Sequence, residues 1–114
     1  MLSIEDLSRR MGDFALRDVD LRVEEGEFFV LLGPTGAGKS VLLEMVAGFS
    51  APDAGRICID GRDAARLPPE ERGVGVVYQD HMLFPHRSAR ANIRYGMRMR
   101  GVPDEEARRR VEEL

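Results

Sequence analysis

Eight consecutive residues, Gly33-Pro34-Thr35-Gly36-Ala37-Gly38-Lys39-Ser40, carry the residue types and spacing most able to do chemistry in this chain. They match G-x-x-x-x-G-K-[ST] in full, and each position has a physical reason. The glycines let the backbone curl until successive N–H groups point inward at a polyphosphate. A helix that follows aims the positive end of its dipole at the same anion. Lys39 would reach the β- and γ-phosphates, and the Ser40 hydroxyl would ligate Mg²⁺. The flanks suit this reading. Phe28 to Leu32 is a continuous apolar run, the pattern of a strand buried on both faces. Lys39 to Gly48 reads as a helix with Val41, Leu42, Met45 and Val46 on its buried side. The bland alternative is an ordinary glycine turn, but motif and context together predict a nucleotide phosphate site.

The basic residues point to the same place. Of 17 Lys and Arg, Lys39 is the only lysine. Coding bias covers the arginine excess but not this exception, because lysine is a compact point charge where arginine is a broad planar fork.

Composition sets the frame. The 114 residues suffice for one domain, and 43% hydrophobic with 32% charged residues describe an ordinary globular chain. A net charge of −3 disfavours a nucleic-acid partner. No apolar run approaches the roughly 18 residues of a membrane helix, and no basic-then-apolar leader precedes Leu2, so a cytosolic chain is expected. Cys58 is alone, and His81 and His86 lack ligand spacing, so neither a disulfide nor a zinc centre is predicted. Residues 1–85 hold nine basic and fifteen acidic groups, and residues 86–114 hold eight and five. The shift near Pro85 predicts a division there.

The remaining elements must position the loop. Leu2-Ser3-Ile4 and Val19 to Val23 alternate as half-buried strands, with a turn at Met11-Gly12-Asp13. Pro52 to Gly55 reads as a turn, and Arg56 to Ile59 as a short strand entering an Asp60-Gly61 hairpin. A brief helical turn is predicted over Leu67 to Arg72 and a strand over Val74 to Tyr78. Ser88 can cap a helix through Arg100 that Gly101 ends, and Pro103-Asp104-Glu105-Glu106 opens another. That last helical pattern runs to Leu114 without a stop signal, and a truncated chain is expected from it. Arg87, Arg90, Arg94 and Arg98 fall along one helix face, either as a solvated stripe or as a partner contact. Cys58 reads as a small buried hydrophobe on its strand.

Taken in order, the strand pair, Gly26-Glu27-Phe28, the glycine loop, Gly48, Pro52-Asp53-Ala54-Gly55, Asp60-Gly61 and Val76-Val77-Tyr78-Gln79-Asp80 resemble the ATP-binding subunits of ABC transporters over essentially the whole chain. GPTGAGKSVLLEMVAG and LPPEERGVGVVYQDHMLFPH look most like the molybdate/tungstate importers of that family. The resemblance implies an α/β fold: the N-terminal half of a RecA-like P-loop NTPase core (residues 1–85) with an antiparallel strand pair, then the start of a helical subdomain (86–114). It implies ATP and Mg²⁺ as cofactors, held by Gly33 to Ser40 together with the Val41 N–H. By the same resemblance Gln79 would contact Mg²⁺ or the attacking water, so that Gln79 and Lys39 form the catalytic set here. Gln79 would also sense the membrane subunit; its plain alternative is a polar strand end. Met82 to His86 would lie near the permease, although Phe84 and Pro85 also suit simple packing. Two copies would sandwich ATP at the cytoplasmic face of the membrane.

The pattern departs from the family in several places. Relatives stack adenine on an aromatic residue upstream of the loop; here Arg10, Met11 and Phe14 all remain candidates. Neither an Asp-Glu carboxylate strand, nor a Leu-Ser-Gly-Gly signature, nor a switch histidine occurs before Leu114. Ile57-Cys58-Ile59-Asp60 has an apolar run, but Gly61 follows it, and Asp60 reads as a turn residue. A chain that binds ATP without hydrolysing it is expected. Importers of sulfate, iron or polyamine remain open, as does a nucleotide-binding module with no transport role. A small-molecule phosphotransferase would need an acceptor site and a lid, and neither is visible.

Overall fold

The computed structural model describes residues 1–114, which divide into two units, Met1–Val76 and Val77–Leu114. The division falls upstream of the charge change at Pro85.

In the first unit, β1 (Leu2–Met11) and β2 (Phe14–Val23) form a long antiparallel hairpin. β3 (Ala54–Ile59) pairs antiparallel with β1, and the two-residue β4 (Arg62–Asp63) with β3, giving the order β2-β1-β3-β4. Strict alternation in β1 would send Ile4 and Leu7 to opposite faces, yet both are buried. The register with β2 and β3 slips between them, and Asp6 there takes a left-handed φ of 48°. Such a bulge turns Leu7 back onto the core face. The Asp6 N–H finds its acceptor on Asp20 Oδ1 at 2.8 Å. Asp60 and Gly61, with φ of 49° and 75°, make the predicted tight turn into β4.

α1 (Lys39–Ala47) lays Leu42, Met45, Val46 and Ala47 inward, with Val41 partly buried. Ile4, Leu7, Ile57 and Ile59 of the sheet join them in one core. Gly48 ends the helix in a left-handed conformation (φ 91°), its N–H donating to Glu44 and Met45 carbonyls. Arg72 secures that end: its guanidinium donates to the carbonyls of Met45 (2.9 Å), Val46 (3.2 Å) and Leu67 (2.9 Å). Short 3₁₀ turns lie at Ala64–Arg66 and Pro69–Glu71, the second where a helical turn is predicted. Cys58 is half-buried on β3.

Two expectations fail. Phe28 to Leu32 and Val74 to Tyr78 are not strands. Nor is the first run buried: Phe28 is 92% and Leu32 86% exposed. A strand exists only by hydrogen bonding to a neighbour. Only β1 and β3 are paired on both sides in the order β2-β1-β3-β4, and neither run pairs with the open edge of β2 or β4. Apolar composition supplies a strand's burial preference but not its partner.

In the second unit, α2 (Ala89–Met99) begins at Ser88, whose Oγ accepts from the Ala91 N–H at 3.2 Å. Gly101 follows its end with φ 71°, and α3 (Asp104–Glu112) opens with three acidic residues in its first turn. Both helices match their sequence signals. No helix in the chain is long and apolar enough to cross a membrane.

Candidate functional site

The loop from Gly33 to Gly38 closes on itself. The Ala37 N–H donates to the Pro34 carbonyl at 3.1 Å, and a Cβ on Gly33 would lie 3.1 Å from that of Ala37. Gly38 is the N-cap of α1, at φ 93°, and a Cβ there would stand 2.6 Å from Phe14 Cζ and 2.8 Å from Leu16 Cδ2. Only glycine allows both the left-handed backbone and this approach of β2. Phe14 is therefore beside the loop. Met11 is exposed at the hairpin tip, and the Arg10 N–H is bonded to Asp53 Oδ2 at 2.7 Å.

Lys39, half-buried, turns its ammonium back across the loop, with Nζ donating to the carbonyls of Gly33 (2.6 Å) and Pro34 (2.8 Å). An ammonium has three donors, so one is left. The first turn of α1 has no side-chain cap and no acidic residue. Its leading N–H groups thus keep their donor capacity and the positive end of the dipole is uncompensated, the condition for holding an anion. Ser40 is exposed at the same end, as are Pro34 and Thr35. Val41 lies in that first turn with its side chain against the core. No three His, Cys, Asp or Glu side chains gather to bind a metal. A lone hydroxyl still suits Mg²⁺, which takes most of its ligands from phosphates and water.

Gln79 belongs to the second unit. It is exposed, in a turn where the His81 N–H donates to the Tyr78 carbonyl at 3.1 Å. His81 and Met82 then take left-handed φ of 63° and 49°. The next segment is fixed by a residue the sequence did not single out. Asn92 Oδ1 accepts from the Phe84 N–H at 2.9 Å, and Nδ2 donates to the carbonyls of Phe84, Arg87 and Ser88. An asparagine one turn into a helix is a poor helix former, and that was the available signal. Phe84 packs on Tyr95 (4.6 Å between centroids) and meets His86 edge-on. Met82 and Leu83 stay exposed.

The family model described as ABC transporter matches residues 16–114. The molybdate/tungstate import ATP-binding protein of Thermococcus kodakarensis is 48% identical over 114 residues, all of this chain and 34% of that protein. The spermidine/putrescine import ATP-binding protein of Nitrosomonas europaea is 46% identical over 113 residues, 98% of this chain and 31% of that protein. The chain thus spans about a third of the length of the curated relatives it matches. Among solved structures, a dimeric ATP-binding cassette in a post-hydrolysis state bound to ADP and Pi aligns with a TM-score of 0.82. The two are 28% identical, over 99% of this chain and 55% of that one. The fold is accordingly that of an α/β ATP-binding cassette, represented here by its antiparallel sheet, the glycine loop with α1, and two helices of the second unit. With the family model matching nearly its whole length, the chain belongs to the ABC transporter family.

Proposed function

We propose that this chain is the nucleotide-cradling part of the ATP-binding subunit of an ABC importer. The observation that carries the reading is the loop at the N-terminus of α1: an uncapped helix end, curled glycine backbone, and a lysine ammonium held over it with one donor to spare. In this reading Gly33 to Ser40, with the Val41 N–H, hold the triphosphate, and Ser40 holds Mg²⁺. Bound Mg²⁺ supplies charge neutralisation between the terminal phosphates. Lys39 binds and orients those phosphates, and Phe14, whose ring lies against Gly38, is the wall available to adenine. Gln79 would contact the metal or the attacking water and pass the state of the site to a permease, with Met82 to His86 as the docking segment. Its exposed Met82 and Leu83, on a loop fixed by Asn92, support that role.

Residues 1–85 are read as the core and 86–114 as the start of the helical subdomain. The subunit would work as a homodimer at the cytoplasmic face of the membrane, where its ATP hydrolysis drives import. These 114 residues contain neither the Asp-Glu strand nor the signature and switch histidine, so they should bind ATP without turning it over. Molybdate or tungstate is the cargo we favour, on the two sequence stretches quoted above and the 48% relative. The 46% relative named for spermidine/putrescine supports polyamine as the second reading.

Titration with a fluorescent ATP analogue tests the core of this. The chain should bind it in a Mg²⁺-dependent manner and Lys39→Ala should not. Equal binding by the variant would overturn the assignment.

A further inference from the structure

The arginines of the second unit are not all solvated charges. Arg87, Arg94 and Arg98 line one cavity of about 310 Å³ between α2 and α3, while Arg90 of the same stripe does not. A single carboxylate lies among them, Asp104, which accepts from Arg94 Nη2 at 2.8 Å. The other ion pair of this unit, Arg110 with Glu106, is elsewhere, so Arg87 and Arg98 have no anionic partner. Arg87 is nevertheless held in place. Its guanidinium stands 5.1 Å from the Tyr95 ring centroid and 5.7 Å from that of Phe84, and its Nε is buried with no acceptor. A buried N–H with no partner is uncommon and calls for an explanation. Three guanidinium groups against one carboxylate leave the cavity electropositive, with the aromatic-stacked Arg87 side chain as part of its wall.

We propose that this cavity is an oxoanion site, taking a phosphate or carboxylate group between Arg87 and Arg98. The fork of a guanidinium matches either group with paired N–H donors, and stacking on Tyr95 and Phe84 orders that fork before the ligand arrives. The inference does not rest on the importer reading, because every residue in it lies in the second unit. The oxoanion can come from solution or from an acidic side chain of a polypeptide, and one experiment separates these.

The Nε–H resonances of the arginines in the 114-residue chain are followed by NMR during titration with inorganic phosphate. A second titration uses a short glutamate-containing peptide, and both are matched in ionic strength against chloride. The Arg87 signal should move saturably with at least one ligand and not with chloride. Arg98→Gln should weaken that binding about tenfold, the loss expected for one charged hydrogen-bond partner. Arg90→Gln, on the same helix but outside the cavity, should leave it unchanged. Phosphate reaching the glycine loop is read separately at the Gly36 and Gly38 amides. Saturation by phosphate alone identifies a solution oxoanion, and tighter binding of the peptide identifies a polypeptide carboxylate. Arg87 and Arg98 signals that follow chloride, or equal weakening by Arg90→Gln and Arg98→Gln, would overturn the proposal.

Discussion

Lys39 sits where arginine could not do the same work. Its Nζ lies 2.6 Å and 2.8 Å from two consecutive loop carbonyls, a geometry a compact ammonium can meet and a broad guanidinium plane cannot. In a chain whose other sixteen basic residues are all arginine, this explains the exception. Lys39→Arg should therefore lose at least about tenfold in ATP affinity, nearly as much as Lys39→Ala, despite keeping the charge. Calorimetric titration decides it, and wild-type affinity in the arginine variant would refute the compact-charge argument. Phe14 allows a second prediction. If its ring forms the wall for adenine, Phe14→Ala should weaken ATP about tenfold, since base–aromatic stacking is worth roughly 1–3 kcal/mol. Tripolyphosphate, which has no base, should bind as before. A purely structural role against Gly38 would weaken both ligands alike, so the comparison separates the two.

The length and direction of α1 determine where the lysine stands, and its far end depends on Arg72. Three carbonyls accept from that one guanidinium: Leu67, Val46 in the last turn of the helix, and Met45, which also accepts from the Gly48 N–H. Gly48 leaves the space it occupies, since a Cβ there would meet Arg72 Nε at 2.6 Å. Arg72→Met keeps the bulk and removes the donors. It should cost about 2 kcal/mol in urea unfolding, in line with charged hydrogen bonds that are only half-buried. A loss near zero would mean water replaces the guanidinium without penalty. Much at this scale could be read from the sequence. The Ser88 cap, the Gly48 stop and the Asp60-Gly61 turn each depend on residues within a few positions. Arg72 could not be read so, because the Met45 and Val46 carbonyls are brought to it by the fold from more than twenty residues away. The glycine loop was legible for the first reason. The Phe14 contact with Gly38 was not, because it joins β2 to α1.

At the scale of the whole molecule, the two missing strands become informative. Phe28, Leu32 and Val77 are 92%, 86% and 91% exposed, in runs whose composition suits a buried sheet. Beside the first run lies an apolar groove of about 390 Å³, with Leu2, Ile4, Leu21, Phe29 and Leu42 among its walls. Monomeric proteins rarely leave such surface open without a partner. Hydrophobic burial and backbone pairing fail together here, because a central strand gains its burial through the strands that flank it. Relatives about three times as long as this chain have length to supply them. Hydrogen exchange provides the test. In the 114-residue chain, the amides of residues 28–32 and 74–78 should exchange at rates close to those of unstructured peptide. Those of β1 and β3, paired on both sides or within the core, should be protected. When the chain is joined to the remaining two thirds of a relative such as the Thermococcus kodakarensis protein, exchange in both runs should slow by at least about a hundredfold. Slow exchange in the short chain would show that the two runs find partners without further sequence. Fast exchange in the long one would show that they are loops, and that their apolar character serves a surface contact instead of a sheet.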